Sequence, residues 1–382
     1  MSEQTAWDRN TAVEESSYYW KKEPVAYPGK YKPGSRPTVV ELFCGCGGTS
    51  TGFLMAGYDI LLGLDILKPA IETFRANHAG AAAVLGDVSA FNPESIAGLT
   101  GGANVDVLIG GIPCQGFSLN NRKRHDDDKR NFMYREFIRY VQALQPKVVV
   151  LENVSNIRSA GGGTFVKAIE EEIGMAAGMK VTSHILYAPD YGVPQKRKRM
   201  IFVGVREATF NFDSVLKTHG PGTGKPYVTI LDAIGDLPGL QPGESKHAYK
   251  CDPFTSYQKL MRSGASEILT GHTAPKHPAA TIERIRTTIP GKPMYEKFPQ
   301  RIRLAWDILS PTQVSGGIRP QFQFGHPEDN RGLSIRERCR LQSFPDTFEV
   351  KGGIVQGRVQ TGNAVPPLLA KAVALALKPY LR

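Results

Sequence analysis

Between residues 38 and 205, short apolar runs alternate with stretches of helical periodicity. This rhythm restricts the fold more than any other property of the chain. Val39–Phe43, Ile60–Asp65, Ala83–Leu85, Val105–Ile109, Val148–Leu151, Val181–Tyr187 and Met200–Val205 read as strands. Helices are predicted near Ser50–Ala56, from about Pro69 to Asn77, over Phe132–Leu144 and over Phe165–Ile173. A run that is apolar at every position, such as Val148–Leu151, suits a strand covered on both faces. Repeated β-α units of this kind predict an α/β fold: a doubly wound, mostly parallel sheet with helices on both faces.

The rhythm breaks after about residue 212. Gly and Pro become frequent, and the segment 213–319 carries 14 Lys and Arg against 9 Asp and Glu. We expect a smaller, irregular, basic domain inserted over residues 213–320. A large domain is expected to begin with 37–212 and to resume over 321–382, ending in a helix from Pro366 to Leu377. Pro366-Pro367 suits a first helical turn, where the missing N–H groups cost nothing. Residues 1–36 read as an N-terminal extension, rich in charge and proline and without periodicity. Its cluster Tyr18-Tyr19-Trp20-Lys21-Lys22 would suit nucleic acid, but a loosely docked tail is the simpler reading.

A chain of 382 residues can bury a sizeable core without disulfide or metal staples. With 41% apolar and 22% charged residues, wholesale disorder is excluded. The formal net charge is +11, which favours a polyanionic partner, nucleic acid first. Composition alone leaves a merely solvated basic surface equally open. No apolar run approaches the ~18 residues of a membrane span, and Met1–Trp20 is polar. Neither membrane attachment nor a secretory leader is therefore expected. The five cysteines, at 44, 46, 114, 251 and 339, are odd in number and form no disulfide framework. No second pair stands at zinc spacing from Cys44-Gly45-Cys46, so no metal is expected. The chain reads as a reduced, intracellular protein, with Cys251 and Cys339 structural.

Three strand ends carry groups that bind ligands. Val39–Phe43 runs into the Gly-rich turn Cys44-Gly45-Cys46-Gly47-Gly48. Glycines let the backbone approach a ligand, and the following helix offers its free N–H groups. Asp65 ends the next strand and would accept bonds from ribose hydroxyls. Asp87 follows the third and would bond an adenine amino group. Successive strand ends of a parallel sheet face one crevice, so these residues favour an adenosine-containing cofactor over three unrelated loops.

The fourth strand ends in Gly110-Gly111 and leads to Ile112-Pro113-Cys114-Gln115-Gly116-Phe117-Ser118. A core cysteine normally sits inside a strand or helix. This one follows a proline in a Gly-rich loop, where basic neighbours would hold it as the reactive thiolate. Asn120 to Arg130 is densely charged and reads either as a closing loop or as a solvated one. Glu152-Asn153-Val154 ends the fifth strand, and its apolar setting would raise the pKa of Glu152, as suits an acid. In Gln195-Lys196-Arg197-Lys198-Arg199, alternation places Gln195, Arg197 and Arg199 on one face and the two lysines on the other.

Pro113-Cys114-Gln115, Glu152-Asn153-Val154, Gln195-x-Arg197-x-Arg199 and Gly362-Asn363-Ala364-Val365-Pro366-Pro367 share their order and spacing with one family. The chain resembles the DNA (cytosine-5)-methyltransferases of bacterial or phage modification type. Phe43-x-Gly45-x-Gly47-Gly48 and the stretch from Arg331 to Asp346 add two further blocks. The likeness covers about residues 38–212 and 322–382. Residues 213–320 match nothing specific, as a variable target-recognition domain would. Cys44 stands where the family often has a small residue such as Ala, and Asp65 where it often has Glu. Both keep the needed size or charge.

The resemblance implies a Rossmann-like fold and methyl transfer from S-adenosylmethionine, leaving S-adenosylhomocysteine, to C5 of a flipped-out cytosine in double-stranded DNA. Cys114 would add to C6 as a thiolate and make C5 enamine-like. Glu152 would hold or donate a proton at N3, with Asn153 orienting it. Arg197 and Arg199 would contact cytosine O2, the loop or phosphate, Arg199 being the first choice for O2. Phe43, Cys44, Gly45, Gly47, Gly48, Asp65, Ile66, Asp87, Val88, Gly110 and Pro113 would form the cofactor pocket, completed by Asn363, Ala364 and Val365. Gln115, Ser118, Arg130 and Gln195 would meet the substrate. The insert would neutralise phosphates and read bases.

A monomer acting in the cytoplasm, associated with the nucleoid in a prokaryote, is expected. It would belong to a system with a cognate restriction endonuclease, not necessarily a physical partner. The nearest alternative, a tRNA cytosine-5 methyltransferase of the same fold, carries a Cys-Phe-Thr signature that is absent here. A dehydrogenase would leave Pro113-Cys114-Gln115 and Glu152-Asn153-Val154 unused. An inactive DNA-binding module would have no need of them.

Overall fold

The structure is a computed structural model that describes residues 23–32, 34–112, 133–315 and 323–381. Its main sheet has eight strands in the order β1-β4-β3-β2-β5-β6-β9-β7. These are β1 (Val25–Tyr27), β2 (Thr38–Leu42), β3 (Asp59–Asp65), β4 (Ala82–Leu85), β5 (Val107–Gly111), β6 (Val148–Val154), β7 (Lys180–Tyr187) and β9 (Lys198–Val205). β4, β3, β2, β5 and β6 are mutually parallel. β9 runs antiparallel to β6, and β1 antiparallel to β4. The expected mostly parallel, doubly wound α/β sheet is therefore present.

Helices α1 (Gly48–Met55) and α2 (Lys68–Asn77) follow β2 and β3, α3 (Ser95–Leu99) follows β4, and α4 (Met133–Leu144) and α5 (Thr164–Ala177) flank β6. The largest core cluster joins Val40, Leu42, Leu62, Leu64, Leu108 and Leu151 to Phe137 and Tyr140 of α4 and Ile169 and Ile173 of α5. Gly63, between Leu62 and Leu64, turns the other way. A Cβ there would stand 2.4 Å from the ring of Phe74 on α2. Successive residues of a strand face opposite sides, so helices cover both faces of the sheet. Near the C-terminal end of helix α11 (Pro367–Leu377), the Ala374 carbonyl accepts from Tyr58 Oη at 2.7 Å.

The extension is not wholly outside the fold. Val25–Tyr27 pairs with Leu85–Ala83 and forms the sheet edge. Arg75 of α2 lies over the Tyr27 ring, 3.9 Å from its centroid. Three residues are too few to show a period, which is why the sequence reads them as unstructured.

The described residues divide into two compact units. The first holds those up to Leu186, Lys198–Val215 and those from Val373 on. The second holds Tyr187–Arg197 and Leu216–Ala372. It contains β8 (Gln195–Lys196), β10 (Ser310–Pro311), α6 (Ile230–Ile234), α7 (Ser256–Met261), α8 (Ala279–Thr287), α9 (Ile335–Leu341) and α10 (Ile354–Asn363). Packing thus groups residues 321–372 with the insert, whereas the sequence places them with the large domain. The cause is a buried ionic network. Arg340 on α9 binds Asp236 at 3.1 Å and Asp346 at 2.6 Å, and Tyr257 of α7 donates to the Arg340 carbonyl. Residues 104 apart are joined there without solvent, and such a pair is costly to break.

Ile354–Leu381 is long and apolar enough to cross a membrane by length and composition, yet most of it is buried. It folds as α10 and α11, separated by Ala364-Val365-Pro366. Cys339 is buried, as a structural cysteine should be. Cys251 is exposed, so it is not a core residue.

Candidate active site

At the carboxyl ends of the parallel strands the backbone bends sharply. After β2, Phe43 adopts φ 56°, Gly45 φ 53° and Gly47 φ 90°, all left-handed. A side chain is strained there, as that of Phe43 is, and glycine at 45 and 47 spares the turn that cost. Gly45 has open space where a Cβ would project, whereas Gly47 is closed in by His78. Asp65, the last residue of β3, accepts from Gly45 N and Leu67 N, each at 2.8 Å. Burial raises its pKa while these amides lower it. The acid predicted to face a ribose therefore also fastens the Gly turn. Asp87, just beyond β4, accepts from the backbone and hydroxyl of Ser89 at 2.8 Å. Ile66 is half-buried and Val88 buried. Cys44 is buried, and desolvation pushes its thiol well up, which makes it a packing residue.

Gly110 and Gly111 end β5. A Cβ at Gly110 would strike the Phe137 ring at 2.7 Å, so α4 packs on bare backbone. Gly111 pairs in register with Glu152 of β6, and a Cβ there would lie 3.3 Å from the Phe43 carbonyl and 3.9 Å from Glu152 Oε2. The chain that leaves Gly111 reaches Cys114 three residues later. Cys114, Pro113, Gln115, Ser118 and Arg130 lie outside the described residues. Glu152 Oε1 stands 2.6 Å from Arg199 Nε, and both side chains are nearly buried. The antiparallel β6–β9 pairing sets this contact, for it matches Val154 with Arg199 two residues beyond Glu152. Asn153 is buried, and its Oδ1 accepts from Val154 N at 2.8 Å. Glu152, Asn153 and Arg199 are thus brought together beside the strand end that precedes Cys114.

The expected alternation at residues 195–199 is present, with Lys196 and Lys198 exposed and the other three buried. Gln195 and Arg197 are nevertheless used differently from the expectation. Gln195 is fully buried, its Nε2 bonds Leu341 O and Gln342 Oε1, and its Oε1 accepts from Gln313 N. Arg197 is also fully buried and donates to the carbonyls of Gln313 at 3.0 Å and Gly362 at 2.9 Å. Both side chains are committed to the interior of the second unit, which leaves Arg199 as the arginine beside Glu152. Arg197 thereby holds the segment Gly362-Asn363-Ala364-Val365. Gly362 itself is irreplaceable, because a Cβ would lie 2.3 Å from the Val314 carbonyl carbon. Asn363 is exposed, Ala364 half-buried and Val365 buried.

One site residue was missed. Glu41, in the centre of β2, is buried and accepts from Ser50 N at 3.0 Å and from the Ser50 hydroxyl. Helix α1 has no side-chain cap of its own, so this strand carboxylate serves one of its open N–H groups. Burial pushes the Glu41 pKa up to about 7. The available signal was a lone acid inside the apolar run Val39-Val40-Glu41-Leu42-Phe43.

A family model described as C-5 cytosine-specific DNA methylase matches residues 37–379. The chain is 34% identical over 376 residues to the type II methyltransferase M.DdeI of Desulfomicrobium norvegicum, spanning 90% of this chain and 88% of that protein. It is 34% identical over 353 residues to M1.HphI of Haemophilus parahaemolyticus, spanning 89% and 86%. Among solved structures, one described as a DNA modification methyltransferase encoded within an E. coli prophage superposes with a TM-score of 0.75 at 28% identity, covering 90% of this chain and 99% of that one. The S. pombe Dnmt2 methyltransferase superposes with a TM-score of 0.57 at 14% identity, covering 90% and 99%, a likeness of fold alone. With 90% of its length aligned at this identity, and one family model spanning nearly all of it, the chain belongs to the C-5 cytosine-specific DNA methylases.

Proposed function

We propose that this DNA (cytosine-5-)-methyltransferase works through a covalent bond between Cys114 and C6 of a cytosine flipped out of double-stranded DNA. The observation that carries the reading is the place of Glu152. It pairs with Gly111 at the end of β5, three residues before Cys114, and holds Arg199 at 2.6 Å. Cytosine C5 is too weak a nucleophile to take a methyl group unaided. The Cys114 thiolate adds to C6 and moves the ring electrons toward C5. Glu152 holds a proton at N3, which neutralises charge developing in the ring. Arg199 keeps Glu152 oriented and offers its remaining donors to O2. After C5 is methylated, loss of the C5 proton returns the electron pair and expels the sulfur.

S-adenosylmethionine is the methyl donor, and the residues present fit it. Gly45 leaves open space beside the Asp65 carboxylate, and Asp87 follows the next strand; carboxylates there suit hydroxyl and amino groups. Phe43 is half-buried at the same turn. The donor supplies an electrophilic methyl group, and the chain supplies the pocket and the activated ring. The second unit reads the target sequence, and its basic side chains neutralise phosphates. The enzyme acts as a monomer in the cytoplasm, within a restriction-modification system.

The test is transfer of radiolabelled methyl groups to duplex DNA and, in parallel, to tRNA, with Cys114→Ala as control. Label recovered as 5-methylcytosine in DNA and lost in the variant is expected. Label confined to tRNA would overturn the substrate. DNA containing 5-fluorocytosine should trap a Cys114 adduct, because fluorine cannot leave as the C5 proton does.

A further inference from the structure

Four arginines crowd the segment from Arg331 to Arg340, and three of them have acid partners. Arg331 is held by Glu337 and Asp329, each at 2.8 Å. Arg340 binds Asp236 and Asp346, and Arg336 lies 3.5 Å from Asp346. Arg338 differs. It is 3% exposed, and its donors go to neutral oxygens: Thr361 Oγ1 at 2.9 Å and the carbonyls of Val314 and Arg358, each at 3.3 Å. The neighbouring charge is Arg358 on α10. Among the described residues neither Arg338 nor Arg358 has a carboxylate within ion-pair distance. All these residues belong to the second unit.

Two desolvated guanidinium groups without a counterion are unfavourable. Burial, and then the charge of Arg358, push the Arg338 pKa down to about 9. Burial pushes that of Arg358 down to about 10. The third ionisable neighbour offers no anion either. His277 accepts from Gly332 N at 3.0 Å, and burial followed by Arg358 and Arg331 push its pKa down to about 4, so it is neutral. Among the described residues, cations stand here and no carboxylate is paired with them.

We propose that Arg358, half-buried on α10 with the buried Arg338 behind it, takes one backbone phosphate of the substrate DNA. Guanidinium forks match a tetrahedral oxyanion, and the enzyme's substrate brings one at every nucleotide. The inference rests on the DNA-methyltransferase reading and deepens it by naming a phosphate contact outside the reaction centre. Because a phosphate carries no sequence information, the contact adds affinity for any duplex.

The experiment measures the affinity of the full-length protein for a fluorescent duplex across a salt series, for wild type, Arg358→Gln and Arg358→Lys. Arg358→Gln should bind roughly tenfold more weakly. Its slope of log affinity against log salt should be shallower by ~0.9, the value for one lost phosphate. Arg358→Lys should restore most of the slope. Target and non-target duplexes should lose equally, with affinity for S-adenosylhomocysteine unchanged. An unchanged slope overturns the proposal, as does a loss confined to the target sequence, which would mark a base contact. If inorganic phosphate at matched ionic strength raises the melting temperature of wild type but not of Arg358→Gln, while the slope is unchanged, the site binds free anion and the DNA contact is wrong. Should Arg358→Gln fail to melt cooperatively, Arg358→Met takes its place. Failure of the wild type to methylate any DNA would overturn the underlying reading instead, and methyl transfer by the wild type reveals that separately.

Discussion

Arg199 Nε stands 2.6 Å from Glu152 Oε1, so the acid at the end of β6 brings its own counterion from the adjacent antiparallel strand. The pair is nearly buried, and a buried charge left without its partner is costly. Glu152→Gln keeps the size but removes the proton-holding carboxylate. We expect kcat to fall by ~10²–10⁴-fold, the usual weight of a proton-transfer group, with KM for the methyl donor little changed. Steady-state methyl transfer checks this, and a variant with near wild-type kcat would remove Glu152 from the reaction.

Asp65 joins the Gly turn to the end of β3 through two backbone amides. Asp65→Ala leaves both N–H groups without their acceptor, at a cost of about 2 kcal/mol. Affinity for S-adenosylhomocysteine should fall by at least ~10-fold, because turn and carboxylate are lost together. Calorimetric titration and thermal melting read the two effects. Wild-type affinity in a destabilised variant would confine Asp65 to a structural role.

Glu41 gives stability a predictable dependence on pH. Its folded pKa, about 7, lies above the 4.5 of the ordinary group. Between these values the native state holds a proton that the unfolded chain has released. Stability from this group is therefore full below about pH 4.5 and is lost as the pH rises through 7. Glu41→Gln keeps an acceptor for Ser50 and removes the titration. The variant should be more stable than wild type at pH 8, by about 3 kcal/mol, and closer to it at pH 5. Urea unfolding at the two pH values decides, and parallel curves for the two proteins would refute the assignment.

Gly362 and Gly98 make a matched pair. A methyl group at Gly362 would collide with backbone atoms of Val314 and Ser315, at 2.3 Å and 2.4 Å. One at Gly98, inside α3, would meet nothing within 4 Å. Gly362→Ala should cost roughly 3 kcal/mol or more, as overpacking against rigid backbone does. Gly98→Ala should gain about 0.5–1 kcal/mol from helix propensity. Melting temperatures of the two variants should move in opposite directions.

Much of the first unit is legible in the sequence, because a buried parallel strand must be apolar at every position and its carboxyl end must turn. Val148–Leu151 followed by Glu152 carries both signals within five residues. What escaped depends on partners far along the chain. β1 has only three residues, and its strand character comes from β4. The fate of Arg197 is decided by carbonyls 116 and 165 residues away, and alternation assigns a face without saying what fills it. The grouping of residues 321–372 with the insert follows from Arg340 meeting Asp236, a pairing of opposite charges that nothing local announces.

The bond from Tyr58 to Ala374 sets a clock on synthesis. The two residues are 316 positions apart, and both belong to the unit built around the main sheet. At ~5–20 residues per second, a ribosome needs roughly 15–60 s to travel between them. For the second half of that time, once β9 has ended at Val205, the nascent sheet has its strands but lacks the helix that covers Tyr58. Its apolar surface is open to chaperones, proteases and other nascent chains until the last helix emerges. The enzyme therefore becomes competent as a whole chain, and a truncated product should be degraded before it can mark any DNA.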